Sequence, residues 1–142
     1  MSTILKDAFL ENSVLESLLT IASIFVMLTS IMGGILMLTG LENNNLSFNL
    51  LAGTPFTDFF VPGILLIAIV GSTSTLSTIA FVKNMSSKAI IGILCGAVLS
   101  SWITIEILLL NQPGPTVIEI VYLGLGLVMI VLSYILKKNL KN

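Results

Sequence analysis

Four long apolar segments, at about 17–41, 59–82, 89–111 and 116–136, carry between them only two charged residues, Glu106 and Glu119. At a rise of about 1.5 Å per residue, a helix needs roughly 20 residues to cross a hydrocarbon layer of about 30 Å, and each segment is long enough. Lipid offers no hydrogen bonds, so a spanning backbone must satisfy its own, which an α-helix does. The chain therefore specifies an all-α fold: a four-transmembrane-helix bundle forming a single membrane domain over residues 1–142. A short N-terminal interfacial helix and one long outer loop complete it. Charged residues make up 9% of the sequence, against about a quarter in soluble domains.

Residues 1–16 bring Lys6, Asp7, Glu11 and Glu16 together with Ile4, Leu5, Ala8, Phe9 and Leu15 near helical spacing. That pattern predicts an amphipathic helix at the interface, or one that runs on into span one. The acids precede the apolar core and no small-residue cleavage site follows, which argues against a signal peptide. In span one, Gly33, Gly34 and Gly40 allow a close helix approach or a kink. Residues 42–57 form the only long connection. Asn43, Asn44 and Asn45 open it as a turn, and the alternation through Leu46, Phe48 and Leu50 suits a short extended piece. An apolar loop of this length is expected to pack over the mouth of the bundle as a lid.

Thr57 or Asp58 can cap span two, where a carboxylate also meets the positive end of the helix dipole. With Asp58 as the cap, Pro62 would forfeit one hydrogen bond, and Gly63 beside it lets a neighbouring backbone come close. Pro113-Gly114-Pro115 makes a rigid turn between spans three and four. The six lysines fall in three places: Lys6; Lys83 and Lys88; and Lys137, Lys138 and Lys141. By the positive-inside rule, both termini and the 83–88 turn are expected in the cytoplasm of a multi-pass cell-membrane protein. The lipid bilayer is its first partner, with a membrane-protein partner or a homo-oligomer as the other class.

The chain has no His and no Arg. That removes His-based acid catalysis, His-ligated haem or zinc, and bidentate Arg clamps on phosphate. No metal-ligand spacing, P-loop or nucleophile–base pair stands out, so no metal, cofactor or catalytic residue is assigned. A net charge of −1 gives no footprint for nucleic acid.

Glu106 lies inside span three, and an ionisable residue there is a functional-site hypothesis by default. It shares a helical face with Trp102, Leu99, Cys95 and Gly92. Gly92 and Gly96, extended by Ser100, have the spacing of close helix contact. Folding about the Pro-Gly-Pro turn puts Glu119 and Tyr122 at the height of Glu106, on a face with Gly126, Met129 and Ser133. Asp58 and Glu42 join them at the same end, where the sequence has no lysine to pair with them. Each acid must then be solvated, protonated or matched from outside. This predicts an outward-facing acidic pocket, with Glu106, Asp58, Glu119, Trp102 and Tyr122 as candidate ligand-binding residues for a lipid-like or cationic ligand or a partner. In the plainer reading Glu106 is protonated and hydrogen-bonded across the helices, Asp58 is a cap, and Glu42 and Glu119 are wet. An ion- or proton-coupled transporter component is the alternative, drawing on the hydroxyl run from Ser72 to Thr78. More often such hydroxyls bond to carbonyls one turn back. A membrane-embedded enzyme working through two carboxylates ranks third, with nothing that positively supports it.

Two motifs carry a resemblance. The segment Thr54-Pro55-Phe56-Thr57-Asp58-Phe59-Phe60-Val61-Pro62-Gly63, with Trp102-Ile103-Thr104-Ile105-Glu106, resembles the hallmarks of a group of small prokaryotic four-helix membrane proteins of unassigned function. Pro55, Phe56, Pro62 and Gly63 would be structural motif residues in that group. The layout is more distantly similar to DoxX-like four-helix proteins. The resemblance implies fold and location, and brings no oxidoreductase residues with it.

Overall fold

The computed structural model describes residues 3–40, 52–110 and 113–141. Its elements are α1 (Thr3–Thr39), α2 (Phe60–Leu65), a π-helical turn (Leu66–Gly71), α3 (Ser72–Val82), α4 (Lys88–Leu109) and α5 (Val117–Lys141). α2, the π turn and α3 form one rod, so four helices are long and apolar enough to cross a membrane. The expected N-terminal helix is the first part of α1, continuous with span one. At 37 residues α1 is about 55 Å long, nearly twice a hydrocarbon layer of about 30 Å. Most of the connection expected to form a lid, residues 41–51, lies outside the described residues.

Many large apolar side chains point outward, as Leu108 and Val117 do at 77% exposure, while Ser23, Ser74, Ser77 and Ser133 are fully buried beside Leu19, Met129 and Leu136. Lipid solvates the outer side chains, so the interior is chosen for small size and close approach. The most extensive contact is between α4 and α5. A Cβ on Gly96 would lie 2.6 Å from the Gly126 carbonyl oxygen, and one on Gly126 would lie 3.0 Å from that of Gly96. The two backbones touch there. Gly92 faces Ser133 in the same seam, so the Gly92–Gly96–Ser100 spacing, expected to mark a close helix contact, packs α4 on α5. A second such contact joins α1 to α2, where a Cβ on Gly63 would lie 3.0 Å from the Gly34 carbonyl oxygen. Gly40, with φ 73°, ends α1 in the left-handed conformation that glycine tolerates.

The end of the bundle at the α3–α4 turn, the lysine end, is tightly tied. Lys83 closes α3, Asn84 follows at φ 53°, and two bonds seal the turn: Met85 N–H to Ala80 C=O at 2.8 Å and Asn84 N–H to Phe81 C=O at 3.2 Å. These are the 6→1 and 5→2 bonds of a Schellman motif, with Asn in place of the commoner glycine. Lys88 sits 6% exposed and donates to Glu16 Oε1 at 2.5 Å and to Asn84 Oδ1. That ion pair fastens α1 to α4. Asn139 donates to Asn12 at 3.0 Å between α5 and α1, and Ser23 bonds Ser77 at 2.7 Å between α1 and α3.

The opposite end, which carries Asp58 and Thr116, is looser. α3 packs on α4, but α2 has almost no contact with it. The departure begins at the π turn, which lies beside a run of hydroxyls. The hydroxyls of Ser72, Thr73, Ser74 and Thr75 donate to the carbonyls of Ala68, Ile69, Val70 and Gly71, four residues back. Such bonds compete with the helical ladder and bend helices. A cleft lies between spans two and three at this end.

Candidate functional site

Two cavities form where span two leaves span three. The larger, about 740 Å3, is a groove walled by Phe59, Pro62, Leu65 and Ile69 of span two and by Ala97, Ser101, Ile105 and Leu109 of α4. Thr54 and Phe56 close its end. The smaller, about 160 Å3, is lined from all four spans, including Ser30, Val70, Leu99 and Tyr122. Trp102, Glu106, Ile118 and Glu119 line both. Among the described residues no lysine lines either cavity.

α4 sets Trp102 and Glu106 one turn apart, and the indole Nε1 donates to Glu106 Oε1 at 2.7 Å. This bond runs within one helix, so the expected tie between helices is not how Glu106 is held. An indole N–H on a carboxylate is a charge-assisted bond when the acid is ionised, and it fixes the rotamers of both side chains. Tyr122 stacks on Phe25 with ring centroids 5.9 Å apart, joining α5 to α1 beside the smaller cavity.

Glu119 has a different local job. Its Oε2 accepts from Thr116 N–H at 2.8 Å, and Thr116 Oγ1 accepts from Glu119 N–H at 3.2 Å. The Thr-x-x-Glu spacing of residues 116–119 forms a capping box, satisfying two donors that a helix start leaves open. Glu119 is buried, 7% exposed, which corrects the plainer expectation that it is wet. Thr116→Val is expected to lower stability by about 1 kcal/mol, with Thr116→Ser near neutral. Thermal unfolding in micelles checks this, and a Thr116→Val protein as stable as the parent would remove the cap from the account.

The structure thus brings Glu106, Trp102, Glu119 and Tyr122 together and leaves Asp58 apart. Asp58 is exposed, lines neither cavity, and accepts from Phe60 N–H at 3.0 Å. It also does not take the N-cap position, which Phe59 fills: the first helical bond runs from Gly63 N–H to Phe59 C=O. Pro62 then falls among the four positions whose N–H has no helical partner, so it forfeits no bond at all. Of the motif residues, Phe56 and Pro62 line the groove, Gly63 carries the α1 contact, and Pro55 is exposed. Glu42 lies outside the described residues. The hydroxyls of Ser72 to Thr78 line neither cavity. No group of three or more metal-ligating side chains occurs among the described residues.

Sequence reasoning missed the groove itself, the Lys88–Glu16 pair and the capping box. Only the last had a local signal, the spacing from Thr116 to Glu119. The fold and the site define a four-span membrane protein with a groove between its second and third spans and a carboxylate where that groove meets an inner cavity. No protein-family model, curated protein or solved structure matches the chain.

Proposed function

We propose that this is a ligand-binding protein of the cell membrane, with both termini in the cytoplasm, which takes a lipid-like or cationic ligand at Glu106. The orientation rests on the lysine distribution, and it turns the end with Asp58 and Thr116 outward. One observation carries the reading: Glu106 stands where two cavities meet, and no lysine is among their described lining residues. A groove of about 740 Å3 lies in the range of small-molecule sites, roughly 300–1,000 Å3, and such sites are mostly apolar with a few fixed polar groups. Glu106 and Trp102 are those groups here.

Ligand-dependent thermal stability tests the proposal across a panel of lipids, quinones and organic cations. A ligand held at about 100 times its Kd adds about 2.7 kcal/mol, which raises the unfolding temperature by several degrees. Glu106→Gln is expected to weaken that ligand at least about tenfold, since hydrogen bonds to a charged group contribute roughly 1.5–3 kcal/mol. Equal stabilisation of parent and Glu106→Gln by every member of the panel rules this site out.

A further inference from the structure

We propose, resting on the reading above, that the ligand is a single-chain amphiphile with an ammonium head. Its chain lies along the groove between spans two and three, and its head lodges against Glu106 and Trp102. The dimensions come first. From Glu106 down to Ala97 the α4 wall of the groove runs through nine residues, or about 14 Å. That is about half of a hydrocarbon layer of about 30 Å, the depth one chain occupies within one leaflet. The wall side chains include the small Ala97 and Ser101, one turn apart, which leave room that larger side chains at those two positions would fill. Because span two has almost no contact with α4 along α2, the groove opens sideways into the bilayer, and a chain can enter without crossing water.

The head end selects by charge. Two carboxylates, Glu106 and Glu119, border both cavities, and no described lysine does. An anionic head, whether phosphate, sulfate or carboxylate, would meet these two carboxyl groups and no cation among the described lining residues. Glu106 gives one oxygen to Trp102, and a carboxylate has further lone pairs for a donor head group. A carboxylate held by the edge N–H of an indole can take an ammonium through a charge-assisted bond. A hydroxyl head can use only the hydrogen bond, so it binds more weakly.

Trp102 is the single tryptophan of the chain, so its emission reports this position alone. The full-length protein in phosphatidylcholine nanodiscs is titrated with dodecylamine, dodecanol, dodecanoate and butylamine. The expected result is a saturable change in Trp102 emission with dodecylamine, at an affinity at least about tenfold tighter than for dodecanoate or butylamine. Glu106→Gln removes the preference for the amine over the alcohol. Ala97→Phe, which leaves Glu106 in place and fills the groove, weakens dodecylamine about tenfold or more. Dodecanoate binding as tightly as dodecylamine overturns the proposal, and so does full dodecylamine affinity in Ala97→Phe. If alcohol, acid and amine bind alike and Glu106→Gln weakens all of them, the choice of an ammonium falls while Glu106 remains a ligand site. If none changes the emission or the unfolding temperature, both readings fall together.

Discussion

Replacing Gly96 by alanine is expected to destabilise the protein by about 2 kcal/mol, although alanine is the better helix former. The added Cβ would lie 2.6 Å from the Gly126 carbonyl oxygen, 2.8 Å from Ile130 Cγ1 and 3.0 Å from the Ile130 nitrogen. Two of those three atoms are backbone, so no rotamer change relieves the contact and α5 itself must shift. Overpacking of a tight interior costs about 1–3 kcal/mol. The opposing gain, about 0.8–1 kcal/mol for Gly to Ala in an exposed helix, shrinks in lipid, where the backbone stays hydrogen-bonded in either case. Sterics therefore win at this position. Gly124 on α5 provides the contrast, because a Cβ there meets nothing within 4 Å. Gly124→Ala is expected to be neutral or slightly stabilising. Thermal unfolding of both variants in the same micelles decides the matter, and equal shifts would mean that the seam between α4 and α5 is not the close backbone contact described.

Lipid makes this fold legible in a way that its site is not. The four spans follow from length and hydropathy, because only helices satisfy the backbone there, and the predicted boundaries agree with Phe60–Val82 and Lys88–Leu109 to within two residues. The spacing of Gly92 and Gly96 pointed to a close helix contact, without saying that α5 is the partner. Glu106 was conspicuous because a carboxylate inside an apolar span has few reasons to be there. The wheel also put Trp102 beside it, and the hairpin put Glu119 and Tyr122 at its height. What stayed hidden depends on how spans two and three diverge. The π turn lies beside four hydroxyls that bond carbonyls four residues back, and the parting of α2 from α4 is a tertiary displacement that no periodicity records. Hence the groove could not be read. Asp58 was grouped with the other acids by height alone, and height does not say that its carboxylate turns back to the Phe60 N–H.

Removing either partner of the Lys88–Glu16 pair should weaken the lysine end, and the two removals should be unequal. The Lys88 side chain is 7% exposed and that of Glu16 is 34% exposed. Glu16→Ala leaves an ammonium buried in the bundle with only the Asn84 amide oxygen as a described partner. Stranding a buried charge costs about 3–5 kcal/mol, and Asn84 offsets part of that, so a loss of about 3 kcal/mol is expected. Lys88→Met instead leaves a carboxylate that water can already reach, and partly exposed pairs contribute about 0–1 kcal/mol. The methionine also keeps the apolar stem of lysine in place, so the expected loss is about 1 kcal/mol. The double variant should recover most of the difference, because neither charge is then stranded. Unfolding of the four proteins in a double-mutant cycle measures this. A Lys88→Met protein less stable than Glu16→Ala would show that Glu16 is the stranded group, and that α1 does not close over Lys88 as described. The same cycle bears on the groove at the other end. With the lysine end held by this pair, by Asn12–Asn139 and by Ser23–Ser77, parting of spans two and three stays local to the end where Glu106 stands. Glu16→Ala is therefore expected to lower global stability while leaving the ratio of dodecylamine to dodecanoate affinity unchanged.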